Sequence, residues 1–204
     1  MAERTEQPTR RERLLAAGRE AFGRQPYDEV SLTDIAKRAG VAHGLPFHYF
    51  SNKRGFFIEV VRSIAGEMRI VHSGTKDLPP AAAVREALDR HIDYFEMRPH
   101  TLLGPMRSAL VADPRVREVF DAARWDGARS VLRMIGLDDP SPAVELVVRA
   151  WQAFHDDLVS RWLVDRKFPR ERIVEMLFSS LDSALESATI LDPETRIDLT
   201  VLRD

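Results

Sequence analysis

Six histidines (His43, His48, His72, His91, His100 and His155) are the first candidates for metal ligation or proton transfer, and no cysteine accompanies them. A metal needs several donors on one face. There is no His-Glu-x-x-His pair and no thiolate to hold zinc. His155-Asp156-Asp157 are consecutive, so on a helix their side chains splay apart instead of converging; His91 and Asp93 have the same problem. Neither a phosphate-cradling glycine loop nor a Gly-x-Ser-x-Gly elbow occurs. These readings give no catalytic residue, no metal and no cofactor. A different polar set clusters between residues 31 and 53: Ser31, Thr33, His43, His48, Tyr49 and Lys53. Side chains of these types donate to phosphate oxygens and reach base edges.

The elements that must hold them are helical. Apolar residues recur at three and four along the 204 residues, and ten glycines and twelve prolines fall mostly at boundaries. The first helix is expected from Thr9 to Arg24, with Leu14, Leu15, Gly18, Ala21 and Phe22 inward. Ser31-Leu32-Thr33-Asp34 reads as a cap with an acid three positions on. The helix it opens stops at Gly40, the residue suited to a left-handed end. A short helix over His43–Phe50 follows a tight turn. Asn52 then caps a long helix through His72. Two short helices joined by Ala39-Gly40-Val41-Ala42 fit a helix-turn-helix, and fit an ordinary helical corner as well. A loop over 73–80 precedes five further helices at 80–97, 100–112, 115–136, 142–164 and 170–188, each introduced by proline. Leu191–Asp204 reads as a tail with little regular structure.

Charge separates the two ends of the chain. Net charge is −2, yet residues 1–55 carry ten Lys/Arg against seven Asp/Glu, and residues 56–204 carry twenty against twenty-five. A polyanion is therefore met by the N-terminal quarter. The opening residues lack an apolar signal core and no apolar run is long enough to span a bilayer, so a cytoplasmic protein with no membrane contact is expected.

Leu14-Leu15-x-Ala17-Gly18-x-x-x-Phe22, Tyr27, Val30, Ser31-x-x-x-Ile35-Ala36-x-x-Ala39-Gly40-Val41, Gly44 and Phe47-His48-Tyr49-Phe50-Ser51-Asn52-Lys53 together form a pattern that resembles the DNA-binding region of the TetR family of transcriptional regulators. The resemblance covers about fifty residues without a gap. It implies an all-α chain of about nine helices. A three-helix helix-turn-helix DNA-binding domain would occupy 1–55, and a helical ligand-binding and dimerisation domain 56–204. It places Ser31, Thr33, His43, Gly44, Leu45, Phe47, His48, Tyr49 and Lys53 on DNA. Gly44 would let backbone approach the groove, and Lys53, at a helix N-terminus, would clamp a phosphate. Three positions depart from the family pattern: Ala42 where a polar cap is usual, Pro46 inside the recognition helix, and Phe47 where tyrosine is common. They point to an uncommon operator.

The resemblance also implies a small-molecule effector and a homodimer. Helix 142–164 is apolar on more than one side, and helix 170–188 carries a small face at Ser180, Ser183, Ala184 and Ser187 beside its leucine stripe. Both features suit a four-helix dimer interface, and both suit burial within one chain. Residues expected around an effector are His91, Tyr94, Phe95, Met106, Leu110, Trp125, Arg129, Trp151, Phe154 and His155; each reads equally as core. Two functions follow. One is a ligand-responsive regulator, a repressor released from a palindromic operator by its effector. The other is a helical enzyme or small-molecule carrier with a purely structural helix-turn-helix.

Overall fold

The computed structural model describes residues 8–71, 77–98 and 113–203. Among them every regular element is helical, as the apolar spacing requires. The expected helix at 100–112, with Met106 and Leu110, and residues 73–76 of the expected loop lie outside the described residues. The chain divides into two compact units: 8–64 with 113–120, and 65–71 and 77–98 with 121–203.

In the first unit, α1 (Arg10–Arg24) is opened by Thr9 and Glu12, which cap each other reciprocally: Thr9 N donates to Glu12 Oε2 at 2.7 Å and Glu12 N to Thr9 Oγ1 at 3.2 Å. A single 3₁₀ turn (Tyr27–Glu29) leads to α2 (Leu32–Arg38), where Ser31 Oγ accepts from Asp34 N. Gly40 ends that helix with φ of +63°, a conformation that costs glycine no Cβ clash. α3 (Leu45–Phe50) and α4 (Lys53–Val71) follow, with Asn52 Oδ1 accepting from Gly55 N at 2.8 Å to open α4. α6 (Pro114–Met134) begins in this unit.

Leu14, Ile35, Phe50, Phe56, Phe57, Val60 and Val116 pack into one core. Phe22 meets Phe57 and Phe50 meets Phe56 edge-on, each pair with centroids 4.8 Å apart. Burying such side chains stabilises the unit by about 1.5–3 kcal/mol each. It also fixes the elements to which the polar residues are attached.

The second unit contains α5 (Pro80–Met97), the later part of α6, α7 (Pro142–Asp165), α8 (Arg170–Leu191) and α9 (Thr200–Arg203). α8 packs against both α7 and α5, burying Val84, Ile92, Val148, Val159, Leu177, Leu181 and Leu185. Arg170 ties α8 to α5 through Asp89 at 3.1 Å and Asp93 at 2.8 Å. Burial pushes the Asp89 carboxyl above its ordinary range, against the pull of Arg170. No described helix is long and apolar enough to cross a membrane.

The C-terminal segment corrects an expectation. Residues 191–204 read as a tail with little regular structure; beyond Leu191 the described residues hold only the short α9, yet that helix docks on α5. Thr195 is buried and its hydroxyl lies 3.1 Å from Ser141 Oγ, while Arg203 pairs with Asp182 and Glu186 of α8. Leu202, 3% exposed, is the anchor. A four-residue helix carries too few apolar positions for a periodic signal, so only the docking site reveals it. Leu202→Ala is expected to cost about 2 kcal/mol, the low end for a buried leucine because a chain end relaxes readily. Arg203→Ala, at a half-exposed ion pair, should cost less than about 1 kcal/mol. Urea denaturation of both variants checks the order.

A candidate nucleic-acid interface

The short helix α3 starts two residues later than the spacing suggests. Pro46 occupies its first turn, where a missing N–H breaks no helical bond, and Gly44 becomes the N-terminal cap. His43 and Gly44 therefore sit in the turn, not in the helix. Pro46 itself is buried and Phe50 enters the core, so these two fix α3 to its unit. Leu45, half-buried, packs beside them.

What remains outward on α3 is aromatic. Phe47 and Tyr49 are exposed, and the His48 ring stacks on that of Tyr49 with centroids 5.6 Å apart. The helix has no Lys or Arg. Gly44 faces open space, since a Cβ built there would meet nothing within 4 Å. Ser31 spends its hydroxyl on the α2 cap. Thr33, two residues on and exposed, has Oγ1 2.8 Å from His43 Nε2.

Lys53 stands at the first position of α4. Its ammonium donates to the Asp28 carbonyl at 3.0 Å and lies 4.6 Å from the centre of the Tyr27 ring. Burial, with the nearby Asp28 carboxylate, raises the Tyr27 phenol above its ordinary value. Arg54, the next residue, pairs with Asp113. Asp113 also caps α6, accepting from Arg115 N at 3.0 Å. Sequence reading missed both this pair and the hold on Lys53. Nothing local in the sequence links Asp113 to Arg54, 59 positions away.

The residues expected around an effector divide into groups. His91 and His155 rings lie 4.8 Å apart, Phe95 is 4.8 Å from His91, Trp151 is 5.5 Å from His155, and Tyr94 is 5.3 Å from Phe95. These five come together in the second unit. His155 is buried with Nδ1 3.0 Å from Asp156 Oδ1, and Asp156 in turn pairs with Arg124. Tyr94 donates to Glu67 at 2.6 Å. Trp125 lies instead under Arg149, and Arg129 is exposed on α6. Phe154, 40% exposed, lines an open groove of about 340 Å³ between α7 and α8 with Val147, Ala150, Trp151, Ser180, Ala184 and Ser187. Among its lining residues, Trp151 Nε1 donates to Ser180 Oγ at 2.9 Å, joining α7 to α8. Among the described residues no group of three or more His, Asp or Glu side chains could hold a metal ion.

Residues 14–60 match the family model described as bacterial regulatory proteins, tetR family. The segment is 36% identical over 63 residues to the HTH-type transcriptional regulator BetI of Rhizobium meliloti, which is 31% of each chain. It is 41% identical over 56 residues to BetI of Yersinia pestis, 28% of each chain. The chain thus matches about a third of the length of these curated relatives. Over the whole chain, a tetR-family regulator from Streptomyces coelicolor has a similar structure, with TM-score 0.76, 22% identity and coverage of 95% of this chain and 86% of that one. FadR of Bacillus subtilis, solved with stearoyl-CoA, gives TM-score 0.64 at 18% identity, covering 86% and 96%. These two likenesses concern the fold.

Proposed function

Since residues 14–60 are a tetR-family segment on a chain with that family's fold, we propose that this protein is a ligand-responsive DNA-binding transcriptional regulator. It acts as a repressor, released from a palindromic operator by a small-molecule effector, in the cytoplasm. The observation that carries the reading is the outward face of the helix-turn-helix. Thr33, His43, Phe47, His48 and Tyr49 stand exposed beside Lys53 at the start of a long helix. A helix N-terminus with a fixed cation suits a phosphate, and exposed side chains ahead of it suit base edges.

The first unit is the DNA-binding part; its core runs past the expected boundary at residue 55, through Phe56, Phe57, Val60 and Val61, and takes in Val116. The second is the effector and dimerisation part. The ring cluster of His91, Tyr94, Phe95, Trp151 and His155 supports an effector site there, because apolar faces with a few polar atoms fit a small molecule. The α7–α8 groove supports a homodimer through 142–164 and 170–188. Leu146, Phe154 and Ile190 are exposed on those helices, and an apolar surface of that kind marks an interface. A two-fold pair of recognition helices about one DNA turn apart would then meet the two half-sites, and a change in their separation would release them.

The second reading, an enzyme or carrier, has less support: the relatives matched by the N-terminal segment are named as transcriptional regulators. Lys53→Ala decides between them. It is expected to weaken binding to every duplex and to flatten the dependence of log affinity on log salt by about one unit. A gel-shift salt titration reads this directly. An unchanged slope removes Lys53 from the phosphate contacts, and a parent without salt-sensitive DNA binding removes the regulator reading.

A further inference from the structure

We propose that Thr33 is a positioning residue for His43 and that the two side chains read one base pair as a unit; this rests on the DNA-binding reading above. The two residues come from different elements, α2 and the turn before α3, and the left-handed Gly40 brings those elements together. Both are exposed, so their 2.8 Å contact is not forced by core packing. A neutral imidazole has one N–H and one bare nitrogen, and a hydroxyl can complement either. With Nε2 engaged by Thr33, Nδ1 is the ring nitrogen left for DNA.

If the Thr33 hydroxyl donates to Nε2, Nδ1 carries the hydrogen and offers a donor, suited to a purine N7 or to thymine O4. If Nε2–H donates to Oγ1, Nδ1 is bare and suits the amino group of cytosine or adenine. In both arrangements the Thr33 contact occupies Nε2 and holds the ring orientation, so that Nδ1 is the nitrogen presented to the base edge. An exposed histidine without such a contact samples both tautomers and several rotamers, and it discriminates poorly. The rest of the helix offers no polar substitute at this end, where Phe47 is exposed but apolar. Gly44 has no side chain, Leu45 is half-buried, Pro46 is buried, and His48 lies farther along α3 stacked on Tyr49.

The test is a selection from duplexes with a randomised core, followed by affinities for the recovered sequence and its single base-pair variants. The full chain is compared with Thr33→Val, Thr33→Ser, His43→Ala and the Thr33→Val/His43→Ala double variant. The parent should prefer one base pair on the order of tenfold. Thr33→Val and His43→Ala should each lose that preference at the same position, the double variant should lose no more than either, and Thr33→Ser should retain it. Salt dependence should be the same throughout. Preference retained by Thr33→Val, losses at different positions, or losses that multiply in the double variant would each overturn the pairing. So would a Thr33→Val protein that melts early and loses all duplexes alike, since that is a structural role. A parent that recovers no sequence and binds without salt dependence overturns the DNA-binding reading itself.

Discussion

Gly55→Val is expected to unfold the N-terminal unit or to displace α3, at a cost of about 3 kcal/mol. Gly55 lies in the first turn of α4, and a Cβ there would stand 2.4 Å from the Phe50 carbonyl oxygen. That oxygen cannot retreat easily. It accepts from Asn52 N at 2.7 Å, and the intervening Ser51 already holds a positive φ of 64°. The turn between α3 and α4 is therefore closed around a missing side chain. Helix propensity alone would favour replacing glycine, by about 1 kcal/mol for alanine and less for valine. Overpacking against backbone costs about 1–3 kcal/mol or more, and valine adds two methyl groups to the overlap. The clash wins. Gly44→Ala is the control: its φ of −79° is ordinary and the site is open, so its effect on stability should stay within about 0.5 kcal/mol. Calorimetry of both variants tests this. Equal melting temperatures for Gly55→Val and the parent would show that the turn relaxes.

In the proposed assembly, Ala184→Glu is expected to convert the dimer into monomers and to lower operator affinity about a hundredfold. Ala184 lies on the α7–α8 groove with Ser180 and Ser187, where small side chains allow another helix to approach closely. Across a two-fold axis the same face meets itself, so each introduced carboxylate would be buried near its copy. Leaving a charge unpaired in such a place costs about 3–5 kcal/mol per partner lost. Within one chain the groove is open, so the substitution should leave the monomer folded. A single helix-turn-helix then contacts one half-site, and the affinity contributed by the second is lost. Sedimentation equilibrium at micromolar concentration measures the assembly, and a gel shift measures the binding. A parent that sediments as one chain yet binds a full operator tightly would defeat the dimer, as would an Ala184→Glu protein that remains dimeric.

The groove also shows where the sequence stopped being informative. Helix 142–164 was recognisably apolar on several sides, but that pattern names no partner for each side. The structure buries Val148, Trp151, Val159 and Trp162, and leaves Leu146, Phe154 and Val164 exposed. Phe154, expected near an effector, faces the groove, while Trp151 contributes both to the groove and to the ring contacts of His155. Period alone places residues on faces; the neighbouring helices decide which face is covered.

By itself the sequence determined the helical class and most helix ends. Ser31, Gly40 and Asn52 act on backbone groups within a few residues of themselves, so their meaning is legible in short windows. The outward position of Thr33, His43 and Tyr49 was legible for the same reason. Only the tertiary structure decided what those groups touch. Thr33 meets His43 across 10 positions, Lys53 meets Asp28 across 25, and Arg54 meets Asp113 across 59. It also decided that the last residues dock through Leu202 instead of trailing away. Local capping and periodicity arise from bonds between near neighbours in the chain, whereas these contacts exist only after the cores of the two units have brought distant segments together.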